Sequence, residues 1–141
     1  MTSKEEIFIS CVESLDAGKL AMLRRGCGAR DPVEGRCPWL LSIIGEDERE
    51  TTAFLVASLL AQYPTRLIHG GKHRFSGDFG KTWRAVTELE KNKTAKEETF
   101  SRRFKILLDS EYDPYTGEGD LPYRLRQMVR YAVGKGVGVD W

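Results

Sequence analysis

Apolar residues recur along most of this chain at the three-and-four spacing that lines one side of a helix. Between Glu5 and Leu15, the positions of Ile7, Phe8, Cys11 and Leu15 predict an amphipathic helix. Asp16 can accept from the free N–H groups of a first turn, so it predicts a cap for a second short helix carrying Leu20, Met22 and Leu23. Gly26 and Gly28 end that helix, and a loop follows from Ala29 through Pro32 to Cys37. Pro38 has no N–H to lose in a first turn, so it suits the start of a helix over Trp39 to Ile44, which Gly45 closes. Glu46 to Gln62 is the clearest helix: its acidic start favours the positive end of the helix dipole, and Thr52 to Ala61 is apolar nearly all round. That breadth predicts burial at the centre of a bundle, with Tyr63-Pro64 as the stop.

Four glycines between His69 and Gly80 argue against regular structure there. Helical spacing resumes from Lys81 to Glu90 through Trp83, Val86 and Leu89. Residues 88–98, dense in Glu and Lys, read as a solvated connector. Glu97 to Leu108 predicts a helix burying Phe100, Phe104, Leu107 and Leu108. Tyr112 to Gly119 is a turn-rich loop. Asp120 then predicts a cap for a helix over Leu121 to Val133, with Leu125, Met128, Val129 and Ala132 facing inward. The tail GKGVGVDW is too glycine-rich to continue it. With six or seven helices, no hairpin signal and no internal repeat, the expected fold is all-α, a small helical bundle of two compact lobes. The division falls at residues 1–80, which include the Gly-rich basic loop, and 81–141.

Composition changes this picture little. A chain of 141 residues with 40% hydrophobic and 30% charged residues can build a core. No apolar run approaches the roughly 18 residues that span a bilayer. The opening MTSKEE has no signal-peptide core, which predicts a cytoplasmic protein without a membrane partner. Cys11, Cys27 and Cys37 lack CxxC spacing and read as buried apolar residues.

Charge is more informative, because a net charge of +1 conceals segregation. Residues 17–30 carry Lys19, Arg24, Arg25 and Arg30 with no acid, and residues 121–139 carry Arg124, Arg126, Arg130 and Lys135 with none. Residues 63–84 hold Arg66, Lys72, Arg74, Lys81 and Arg84 against a single Asp78. Acids gather at Glu46, Asp47, Glu48 and Glu50 and again between Asp109 and Asp120. Such segregation lets a near-neutral protein present one face to phosphates and another to protein neighbours; the alternative is a set of solvated faces without partners.

Catalytic chemistry is not indicated. The only histidines, His69 and His73, have the spacing of helical metal ligands, but Gly70-Gly71 lies between them and no third ligand is in sequence reach. They read as loop histidines beside phosphate or water. No GxSxG, Walker GKS/T or DxD motif is present, and Gly134 to Gly138 follows a helix where a nucleotide loop would follow a strand. The expectation is no enzyme, no cofactor and no metal.

Nucleic-acid binding has better support. Arg126 and Arg130 share a helix face at four-residue spacing beside Arg124, while Arg102, Arg103 and Lys105 interrupt the helix of Phe100 and Phe104. Arginine forks bind phosphate oxygens without reading bases. Without a helix-turn-helix or RNP-type aromatic pattern, the expected mode is sequence-independent. Trp39 and Trp83 occupy apolar helical positions and read as core; Trp141 either packs on a partner or belongs to a helix that continues beyond it.

The order of motifs resembles a known family. Leu15-Asp16-Ala17-Gly18 followed by Leu23-Arg24-Arg25, Phe79-Gly80-Lys81 at a helix start, and Arg102-Arg103-Phe104 through Leu107-Leu108 resemble signatures of the CasB family, the small subunit of type I-E CRISPR Cascade complexes. Leu121 to Val129, then Gly136-Val137 and Val139-Asp140-Trp141, resemble that family's LPxxLRxLVR and DW stretch. The resemblance implies two helical lobes, with copies lining a crRNA-guided surveillance complex in antiviral defence. It also implies partners: other Cascade subunits, further copies of the same chain, crRNA and target DNA. Guide pairing supplies specificity in such assemblies, so a non-specific basic groove suffices. On the matching motifs the resemblance assigns nucleic-acid contact to Arg24, Arg25, Lys81, Arg102, Arg103, Arg124 and Arg126; Arg130 joins them from helix geometry. The family usually continues past the DW motif into another helix, so the second lobe is expected to lack a final helix here. The rival expectation is a helical protein–protein adaptor that docks through the acidic stretches.

Overall fold

The computed structural model describes residues 3–45, 49–74, 77–89 and 93–141, without the side chains of 93–98 and 100. The acidic start expected at Glu46 to Glu48 and the expected burial of Phe100 lie outside the described residues. Eight helices run in order: α1 (Lys4–Glu13), α2 (Ala17–Gly26), α3 (Leu40–Ile44), α4 (Glu50–Leu60), α5 (Thr65–His69), α6 (Phe79–Glu88), α7 (Lys93–Leu108) and α8 (Leu121–Lys135). No strand occurs among the described residues, and the fold is all-α.

Side-chain caps explain three of the helix starts. Ser3 and Glu6 form a reciprocal capping box on α1, and the Asp16 carboxylate accepts from the Lys19 N–H at 2.8 Å to open α2. Asp78 does the same for α6 through the Lys81 N–H at 2.9 Å, so α6 begins two residues before the sequence pattern predicts. Asp120 occupies the expected position before α8, but its side chain does not cap. It accepts instead from the Glu111 N–H at 2.9 Å and from Arg124 Nε at 3.0 Å, closing the base of the 111–119 loop. Gly136, in the left-handed conformation at φ 72°, ends α8 as glycine does best.

Two hydrophobic clusters make up the interior. The larger joins Val12 of α1, Leu20 and Leu23 of α2, Leu40 of α3, Phe54 and Leu60 of α4, and Ile68 of α5 with Val129 of α8. The smaller joins Trp83 and Val86 of α6, Leu107 of α7, and Met128 and Ala132 of α8 with Val137. Phe79 and Leu125 pack against both, so α8 is the beam between them. The chain's end returns to the larger cluster: Val139 N–H donates to His73 O at 2.9 Å, and Trp141 Nε1 donates to the same oxygen at 3.2 Å.

Four expectations need correction. Among the described residues eight helices replace six or seven, because the five-residue α5 is too short to show a period and the Glu/Lys-dense segment is helical from Lys93 on. Leu108 is 69% exposed, at the last turn of α7. Cys11 is exposed and Cys27 half-buried, leaving Cys37 as the one fully buried thiol. Its burial, opposed by the Arg25 charge, pushes its pKa up. His73 is no loop histidine facing water: it is wholly buried, with Nε2 2.6 Å from a Glu13 carboxylate oxygen.

Candidate nucleic-acid interface

Two grooves border the small cluster, one on each side of Trp83. The first lies between α6 and α7. Lys81 and Arg84 stand exposed on one wall, one turn apart, and Ser101 and Phe104 form the other. Gly80 permits this geometry, because a Cβ at that position would come within 3.2 Å of the Phe104 ring. The groove encloses about 750 Å³, with Asp78 and Glu88 also on its lining.

The second groove, about 350 Å³, lies between α7 and α8 and is lined by Arg103, Ile106, Arg124, Gln127, Met128 and Tyr131 together with Trp83. Its floor is aromatic: the Trp83 and Tyr131 rings meet edge-on with centroids 6.0 Å apart. Lys135 Nζ sits 5.7 Å from the Tyr131 centroid, which continues the positive charge along α8. Arg103 is exposed, and Arg124 is half-buried. The Glu111 N–H and the Arg124 guanidinium hold the Asp120 carboxyl below its ordinary range. Arg102 is exposed as well, but it lies about 100° round α7 from Arg103 and lines neither groove.

The remaining assigned arginines face the other way. Arg24 Nε donates to Ala61 O at 2.7 Å and its Nη2 to Tyr63 O at 3.1 Å, satisfying carbonyls that the end of α4 leaves open. Arg25, its neighbour, is exposed and lines a shallow depression with Met22, Glu34 and Arg36. Arg126 reaches across to Cys27 O at 3.2 Å through Nη1, and Arg130 Nε donates to the Gln62 amide oxygen at 3.2 Å. The structure therefore brings Lys81, Arg103 and Arg124 together around Trp83, with Arg84 as an addition the motifs did not supply. It sets Arg126 and Arg130 along the seam between α8 and the N-terminal part of the chain, and Arg24 between α2 and the end of α4.

The histidines belong to neither group. His69 Nε2 lies 2.8 Å from Leu15 O. Burial alone would raise the Glu13 carboxyl, but Arg74 and His73 together hold it below its ordinary value. Tyr63 donates its hydroxyl to Val137 O at 2.6 Å, and burial pushes its phenol well above the usual range. Among the described residues no group of three or more His, Cys, Asp or Glu could hold a metal, and no helix is long and apolar enough to cross a membrane.

Helices without strands among the described residues, two grooves with cations on their walls that meet at a tryptophan, and arginines pinning a central helix define a small all-helical protein. The family model of CRISPR-associated protein Cse2 matches residues 19–141, and the chain belongs to that family. It is thereby a subunit of a CRISPR Cascade complex, of the CasB type found as the small subunit of type I-E Cascade. No curated protein and no solved structure matches the chain.

Proposed function

We propose that this protein is the non-catalytic structural subunit of a crRNA-guided type I-E Cascade, binding the backbone of crRNA or target DNA without sequence preference. One observation carries the reading: Lys81, Arg84, Arg103 and Arg124 converge on two adjoining grooves around Trp83. Grooves of this kind offer cations to phosphates and apolar ring surface to bases, while the guide's pairing supplies specificity. Partners in this reading are the other Cascade subunits, further copies of the chain, crRNA and target DNA, all in the cytoplasm. The two hydrophobic clusters support a division into lobes near residue 80, joined by α8.

The adaptor alternative loses ground at residues 109–120. Asp113 accepts from the Tyr115 N–H at 2.9 Å, Asp120 closes the loop base, and Glu118 lies 3.9 Å from Arg30. Asp113 and Asp120 thus organise their own loop, while Glu118 faces Arg30 of the neighbouring turn. Affinity purification of the tagged protein from its host, with analysis of co-purifying protein and RNA, tests the proposal. A ribonucleoprotein holding small repeat-derived guide RNAs is expected; recovery of the free protein, or of protein partners alone, would overturn it.

A further inference from the structure

A third cleft, of about 410 Å³, opens on the opposite side of α8 from the Arg103–Arg124 groove, between the 27–30 turn and the 111–119 loop. Its lining combines Arg30, Arg126, Tyr112, Tyr123, Gly28 and Glu118. Tyr123 is 56% exposed, a large aromatic surface to leave in water. Its hydroxyl accepts from Gln127 Nε2 at 2.7 Å, and the Arg126 guanidinium carbon lies 5.6 Å from its ring centroid. The ring is thus held from two directions while much of its area stays open.

Arg126 adds a second, independent observation. Its Nη1 donates to Cys27 O, but its Nε is buried with no acceptor at all. That unmet donor is shielded from the cleft, so what Arg126 offers a ligand is the flat guanidinium beside the Tyr123 ring. Gly28 sets the guanidinium in place: its φ is +105°, and a Cβ there would lie 2.0 Å from Arg126 Nη1. Arg30 stands exposed at the rim, in only a loose ion pair with Glu118 at 3.9 Å. A loose exposed pair of this kind is worth little and is readily exchanged.

We propose that this cleft binds a single nucleotide, its base stacked on Tyr123 beside the Arg126 guanidinium and its phosphate drawing Arg30 away from Glu118. A planar π-face beside two guanidiniums matches that combination of flat base and anion. The ligand is either one unstacked nucleotide of a bound strand or a free nucleotide. The first source rests on the strand-binding reading above, and the second does not.

Two titrations of the full-length protein separate these cases. One uses a single-stranded oligonucleotide carrying 2-aminopurine at several positions, followed both by base fluorescence and by anisotropy of an end label. The other uses 2-aminopurine ribonucleoside monophosphate alone. The expected result is a change in base fluorescence on strand binding that Tyr123→Ala abolishes and Tyr123→Phe retains, with Tyr123→Ala weakening strand affinity by about 5- to 100-fold, the scale of removing one base–aromatic stack. A response to the free monophosphate with no strand binding would uphold the cleft and defeat the strand reading. Salt-sensitive strand binding with silent base fluorescence, no effect of Tyr123→Ala and no response to the monophosphate would overturn the cleft and leave the strand reading standing.

Discussion

On the side of α8 that meets the N-terminal helices, Arg126 and Arg130 donate to Cys27 O and the Gln62 amide. On the side that meets α7, Arg124 shares an open groove with Arg103, Gln127 and Tyr131. The same contrast repeats within two residues of α2, where Arg24 closes the end of α4 and Arg25 stands in solvent. A guanidinium that bonds to acceptors on another helix or loop ties the fold together, and one on a groove wall, such as Arg124 beside Asp120, stands where a polyanion can reach it; Arg126 does both. Charge density does not separate the two uses. Place in the fold does.

Reversing charge at the open groove should have the largest effect. Lys81→Glu combined with Arg103→Glu and Arg124→Glu removes cations for up to three phosphates. The log–log salt slope for a single strand should then flatten by about 0.7 for each phosphate no longer engaged, with a large drop in affinity. The exposed Lys81 and Arg103 should each move stability by no more than about 0.5 kcal/mol, whereas Arg124→Glu also sets a carboxylate beside Asp120 and should cost more. Anisotropy and thermal melts read the two quantities separately. Unchanged affinity would erase the distinction between the two sides of α8. Arg102→Glu with Arg103→Glu sharpens it further, since only Arg103 lines a groove; most of that pair's effect should reside in Arg103.

Next in size is Arg24→Ala. Losing two charge-assisted bonds to carbonyls at the end of α4 should cost about 1.5–3 kcal/mol, seen as a lower midpoint in denaturant melts. Arg25→Ala should leave the midpoint unmoved. If the two variants melted alike, the assignment of Arg24 to the fold would be wrong.

Acid sharpens the contrast more gently. Arg74 and His73 hold the Glu13 carboxyl below its ordinary value of 4.5 in the folded chain, so the unfolded chain binds protons more readily there. The cluster therefore stabilises the fold above about that pH, and its contribution fades as pH falls through the depressed value. Melts across that range should show a steep acid limb in the wild type and a shallower one in Glu13→Gln. Smallest of all, Arg130→Gln gives up one exposed 3.2 Å bond and should shift stability by less than about 0.5 kcal/mol.

Much of the helical frame is legible in the sequence because its signals are local. Periodicity locates the helices of Val12, Leu23, Phe54, Trp83 and Met128, and Asp16 caps as its residue type implies. The segment from Lys93 escapes that reading because helix formers without an apolar stripe carry no periodic signal, although Glu, Lys and Ala favour helix by propensity. Helix α5 escapes it because five residues before two glycines are too short to show a period. His73 looks like a loop residue in sequence because its partner, Glu13, lies far away along the chain. The arginines are easy to find, but their roles are not, since residue type announces a charge and says nothing of the carbonyl or groove awaiting it. Arg84 belongs to no motif, although its spacing of three from Lys81 marks the same helix face.

The most direct test of the central claim is the salt dependence of binding by the wild-type protein to two single strands of unrelated sequence. The account predicts equal affinities for the two, falling linearly on a log–log plot with a slope of about −0.7 for each phosphate engaged, roughly −2 to −3 for the three or four cations around Trp83. Binding that ignores salt, or that strongly favours one sequence, would contradict it.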